Sequence, residues 1–169
     1  MQARAVTIDN SPCSRALPDL EIPAINALAA CLESEHRKFG RLIMRLAVAA
    51  ARSSDDGTHG PPQPALELWS EIQRDLWPHL QIEDALVFSW GAEHRAIPPA
   101  LHEAIRQERH EIRRLAAGLA EAETPEPRGR EKAARLAQSL LDLAHALDSH
   151  VQRYDSAVLP VVRRAAFHR

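Results

Sequence analysis

Trp77-Pro78-His79-Leu80-Gln81-Ile82-Glu83-Asp84 is the stretch from which the rest of the chain is read. His79 and Glu83 are four residues apart, so on a helix they stack on one face. Stepping about 100° per residue from His79, Ile72, Glu83, Leu86 and Trp90 all fall within about 40°. A histidine and a carboxylate are therefore aimed into a core. An ionised carboxylate buried there without a partner would be very costly. Either the two groups satisfy each other, or something positive lies between this helix and its neighbours.

Working outward, the pattern around this stretch predicts a helix from about Ala65 to Ala92, with Pro78 inside it as a kink. Upstream, a helix from Ile22–Ala24 to about Arg52 carries the stripe Ile25, Ala29, Leu32, His36, Phe39, Ile43, Ala47 and Ala50. Residues 53–64, SSDDGTHGPPQP, are turn-rich and read as a loop. Downstream, Ile97-Pro98-Pro99 opens a third helix that ends near Glu121. After the loop 124–129, a fourth helix runs from about Arg130 to Arg164, with Pro160 bending or fraying its end. No strand-like alternation, phosphate loop or close repeat interrupts this. The expected fold is all-α, an up-down-up-down antiparallel four-helix bundle over residues 21–169, with a flexible tail at 1–20.

The chain of 169 residues carries a formal charge of -2, which gives no general attraction to nucleic acid or to an acidic membrane. No apolar run reaches the ~20 residues of a membrane span, and the N-terminus has no apolar block of a secretory leader. The expectation is a cytoplasmic protein with no nucleic-acid or membrane partner and an undetermined oligomeric state. Cys13 and Cys31 form no CxxC and read as free thiols.

Nine histidines are present, and their positions matter more than their number. His36 lies on the first helix's inward stripe, and His150 shares the stripe of Leu136, Leu143, Leu147 and Val161 on the fourth. Three helices thus each bring a histidine to the core near mid-length, and one adds Glu83 a turn away. A single core histidine is commonly just hydrogen-bonded. Three at one level beside a carboxylate point to a metal. Imidazole with carboxylate suits iron, zinc or manganese, and the lack of cysteine ligands argues against a structural zinc site. His145 lies about 140° from His150 and reads as solvated. Glu33 and Glu35 read as surface charges, and His59, His94, His102 and His168 as loop, turn or tail residues. Gly40, one turn after His36, reads either as close helix packing or as space for a small ligand.

Glu35-His36, His79-x-x-x-Glu83, Glu108-Arg109-His110-Glu111-Ile112, and His150 with Asp155 and Leu159-Pro160 succeed one another on four separate helices. This order resembles the hemerythrin-like family, the HHE cation-binding domain, over about residues 24–165. The resemblance implies two iron ions joined by two carboxylates and an oxo or hydroxo bridge. It implies His36, His79 and His150 as terminal ligands, Glu83 as one bridging carboxylate, and Asp155 as the other. Many bacterial members have a glutamate four residues after the last histidine, where this chain has Tyr154. On an ideal helix Tyr154 lies about 40° from His150 and Asp155 about 140°. Geometry points to Tyr154 and the family to Asp155, and a π-bulge would reconcile them.

The third helix departs further. The family places one or two histidines there. Here the stripe Leu101, Ile105, Ile112, Leu115 and Leu119 centres on Glu108, while His110 is about 200° away. Either Glu108 takes the histidine's place, which geometry favours, or a local irregularity lets His110 bind. The functions that follow are binding or sensing of O2, NO or peroxide, a di-iron enzyme acting on peroxide or ferrous iron, or a metal-free helical interaction module.

Overall fold

The computed structural model describes residues 22–55, 62–93, 95–122 and 130–167. The predicted tail 1–20, the centres of both long loops, and Cys13, His59, His94 and His168 lie outside the described residues. Four helical rods make up the rest, and there is no strand among the described residues. Helix α1 spans Ile22–Asp55. Helix α2 spans Gln63–Asp84 and continues through a wider π-helical stretch, Ala85–Trp90, into a last turn, Gly91–Glu93. Helix α3 spans Pro99–Ala122. Helix α4 spans Arg130–Arg153, then a π-helical turn Tyr154–Val158, and ends as Leu159–Phe167.

Amphipathic stripes account for the packing: α1 lies against α2 and α4, and α3 against α4. His36 meets His79 and Lys38 meets Asp75, so α1 and α2 run in opposite directions. Glu33 meets Arg163 and His36 meets Asp155, which makes α4 antiparallel to α1 as well. Pro78 sits inside α2 without ending it. Two π-helical turns lie further along the chain. The Gly91 N–H reaches back five residues to the Leu86 carbonyl, and the Leu159 N–H to that of Tyr154. Pro160 gives a reason for the second: it has no N–H for the Ser156 carbonyl four residues back, and its ring crowds that carbonyl.

The second π turn corrects one sequence expectation. A straight fourth helix puts Val161 on the core stripe, but the wider turn adds one residue of offset. Val158, Val162 and Ala166 are buried instead, and Val161 is only partly covered. Cys31 is also corrected: it is disulfide-bonded and not a free thiol, a pairing that leaves no local sequence signature.

The apolar core is in two blocks. One includes Phe39, Leu46, Ile72, Leu119 and Leu140. The other includes Ile25, Leu32, Leu86, Trp90, Ile105 and Val158. Between them lies a layer of buried polar side chains.

Candidate metal centre

All four rods contribute to this layer. His36 comes from α1, His79 and Glu83 from α2, Arg109 from α3, and His150 and Tyr154 from α4, and all six are buried. Each lies on its helix's inward stripe, so the spacing that builds the apolar blocks also delivers the polar groups.

Three donor atoms make a tight triangle. His36 Nε2 is 2.9 Å from Glu83 Oε1 and 3.1 Å from His79 Nε2, which is 3.1 Å from Glu83 Oε1. The far nitrogen of each ring is held by a carboxylate. His36 Nδ1 donates to Asp155 Oδ1 at 2.6 Å and His79 Nδ1 to Glu35 Oε2 at 2.7 Å. Ionised carboxylates only accept, so both Nδ1 atoms carry hydrogen. In the neutral rings both Nε2 lone pairs then face one point, together with a carboxylate oxygen. That convergence demands a cation there, either a proton or a metal ion. Right-angled ligands about 2.1 Å from an ion lie about 3.0 Å apart, against about 3.4 Å for tetrahedral ones. The triangle's edges match the first, so the residues fit a metal bound on one octahedral face. Imidazoles oriented by carboxylates in this way are the usual support of a metal site.

Glu83's other oxygen faces a different set. Oε2 accepts a hydrogen bond from Arg109 Nη2 and lies 3.1 Å from His150 Nε2. Arg109 Nε donates to Asp84 Oδ1 at 3.0 Å, Nη1 lies 3.4 Å from His150 Nε2, and Nη2 is 3.4 Å from the Tyr154 hydroxyl. The guanidinium also stands over the Tyr154 ring at 5.6 Å. His150 Nδ1 and Glu108 Oε2, 3.8 Å apart, are both buried and without a hydrogen-bond partner among the described residues.

Electrostatics follow from this geometry. Burial pulls the His79 imidazolium down, but the Glu83 charge and the hydrogen bonds to Glu35 and Glu83 outweigh it and raise its pKa to about 9. Burial would raise Glu83, yet the positive charges of His150 and His79 hold it well below the carboxylate range. His150 is raised, because Glu83 and Glu108 overcome the burial that lowers it. Burial and the Glu83 charge push the Tyr154 phenol well above its ordinary value, against the opposing effect of Arg109.

The sequence candidates divide accordingly. His36, His79, Glu83 and His150 come together, with ligating atoms all within 4.8 Å of one another. Tyr154 faces inward as its spacing predicts, with its ring centre 4.9 Å from that of His150 and its hydroxyl toward Arg109. Asp155 is not in the layer: its side chain is 44% exposed and it braces His36 from outside. His110 is exposed, and Glu108 pairs with Arg153 at the edge, so neither is brought into the cluster. The buried positions of α3 are Ile105, Arg109, Ile112, Ala116 and Leu119, alternating by four and three. Arg109 falls in that spacing, but an arginine among apolar positions does not by itself show which face is inward. Leu101 and Leu115, only partly buried, pulled the apparent centre to Glu108. Glu35 was missed as well, because a glutamate beside an inward residue looks like surface charge. Gly40 is not a close helix contact, since a Cβ there would meet nothing within 4 Å.

A cavity of about 10 Å³, room for roughly one water-sized sphere, adjoins the layer. Phe39, Ile43, Ile72, Leu76, Leu147 and Val151 line it, and His79 and His150 reach its wall.

Histidine and carboxylate donors converging from several helices on one buried point define a cation-binding helical bundle. The chain matches the family model described as hemerythrin HHE cation binding domain over residues 27–162, and it belongs to that family. No curated protein and no solved structure is similar enough to match. No helix among the described residues is long and apolar enough to cross a membrane.

Proposed function

We propose that the protein is a non-haem iron protein that binds a small ligand such as O2, NO or peroxide beside the buried layer. The observation that carries this reading is the triangle of two imidazole nitrogens and one carboxylate oxygen, with both rings fixed by outer carboxylates. Two histidines and one carboxylate on a common face, with the remaining positions open, is the donor pattern favoured by ferrous iron. Bound iron would supply a Lewis-acidic, redox-active position for the ligand. The chain supplies the rest. Glu35 and Asp155 hold the two rings so that Nε2 faces inward. The cavity beside His79 and His150 is walled mostly by apolar side chains and leaves room for about one water-sized group, so a larger ligand there would need its walls to give.

Metal content and the optical spectrum of the aerobically purified protein test this, followed by addition of NO to the reduced form. Iron is expected in wild type and largely lost in His79→Ala and Glu83→Ala. Full retention in both variants refutes the assignment. Turnover of peroxide or ferrous iron would move the reading to an enzyme.

A metal-free reading also has an observation behind it. Glu83 already has partners on both oxygens, and a proton on His79 fills the triangle. A purified protein that takes up no iron on reconstitution would establish that reading.

A further inference from the structure

The only lysine or arginine among the described buried residues is Arg109, and it is placed against the carboxylate that faces the triangle. We propose that the layer holds one metal ion, on the His36–His79–Glu83 face, and that the Arg109 guanidinium stands where a second ion would have to bind. The proposal rests on the reading that this site binds iron, and it sets the number of ions and the kind of ligand.

A carboxylate joins two ions by giving one oxygen to each. Glu83 turns Oε1 to the triangle, and its Oε2 is taken by Arg109 Nη2. On that side lie Glu83 Oε2, His150 Nε2 and the Tyr154 hydroxyl, and the guanidinium lies against all three. Arginine has five N–H donors, no lone pair to give, and keeps its charge in proteins. It is therefore a cation in the place of a cation, and it cannot become a ligand. Nor is it a visitor, because Nε is held by Asp84 and Nη2 by Glu83 and the Tyr154 hydroxyl, while Nη1 lies beside His150. The further carboxylate that a two-ion arrangement needs is absent from the described layer: Asp155 is turned outward to His36 Nδ1, and Tyr154 fills the inward position. A lone ion suits a ligand that binds end-on to one metal, such as NO, and not one that must be shared between two.

The test uses the full chain loaded with ferrous iron without air and freed of excess. Iron per chain is then counted, and the oxidised protein is examined by electron paramagnetic resonance. Wild type is expected to hold one iron and to give the signal of an isolated ferric ion. Arg109→His exchanges the cation for a donor and is expected to raise the count to two and to weaken the signal as the ions couple. Arg109→Lys keeps the charge and is expected to stay at one. Two irons in wild type, or a folded Arg109→His that stays at one, overturns the proposal and leaves the iron reading standing. No iron in wild type overturns both. Should Arg109→His fail to fold, the wild-type count and signal decide alone.

Discussion

Metal uptake should release a proton, and the pH dependence of affinity should count it. In the metal-free protein His79 is raised to about 9, so it is protonated at neutral pH. Nδ1 is committed to Glu35, and the remaining hydrogen is on Nε2, inside the triangle. An ion binding there must displace it. Glu83 stays ionised throughout this range and contributes no slope. Apparent affinity should therefore rise about tenfold per pH unit, about 100-fold or ~3 kcal/mol from pH 6 to pH 8, levelling off above the His79 pKa. Chelator-buffered titrations with Mn(II) or Co(II) at three pH values measure this, and calorimetry in buffers of different ionisation enthalpy gives the proton count directly. His150 is raised too. A slope near two would mean that it gives up its own proton and joins the ion. A flat profile between pH 6 and 8 would refute the reasoning. The metal-free protein has the opposite dependence. A histidine raised on folding stabilises fully below its unfolded value of 6.5, and that contribution, about 3 kcal/mol for His79, is lost as pH rises through about 9. Its melting temperature should fall over that window, and the loaded protein's should not.

Three other substitutions probe separate parts of the site. Glu35→Gln weakens the brace on His79 and should lower metal affinity about 10–100-fold without changing the number of ions bound, as read by the same titration. Tyr154→Phe removes a hydroxyl that faces Arg109 and that burial keeps neutral. The visible spectrum of the ferric protein should be unchanged, and disappearance of a charge-transfer band would show instead that the phenolate binds the metal. Gly40→Ala adds a methyl group into open space in a helix interior, so it should stabilise by up to about 1 kcal/mol, raising Tm by roughly 2–4 °C with iron content unaffected.

Residues whose neighbours agree in period were readable. His36, His79, Glu83 and His150 each share a stripe with several apolar residues, and that phase survives in the folded chain. Two kinds of information were not local. The direction of α3's core face turned on whether Leu101 and Leu115 or Arg109 and Ala116 point inward, and only packing against α2 and α4 decides it. A buried arginine is legible only with its carboxylate, and Glu83 is 26 residues away on another helix. The second was the path of α4 beyond His150. Periodicity assumes a constant turn, so the widened turn at Tyr154–Val158 displaced every later position by one. A π turn does form here, yet it does not bring Asp155 into the layer: Tyr154 keeps the inward direction that spacing gives it, and Asp155 reaches His36 from outside.

The polar layer divides the core into two apolar blocks that are continuous only through the helices themselves. Each block packs its own set of apolar side chains, and the seam between them is held by charge and, on the present reading, by an ion. Anything that binds the folded form alone adds to its stability in proportion to the logarithm of its concentration. Opening at the seam is where the metal-free chain should first admit amide exchange or a protease, with the block around Trp69 and the block around Trp90 parting as separate units. The chain's turnover would then follow iron supply, so that its abundance, and not only its occupancy, would report how much metal is at hand.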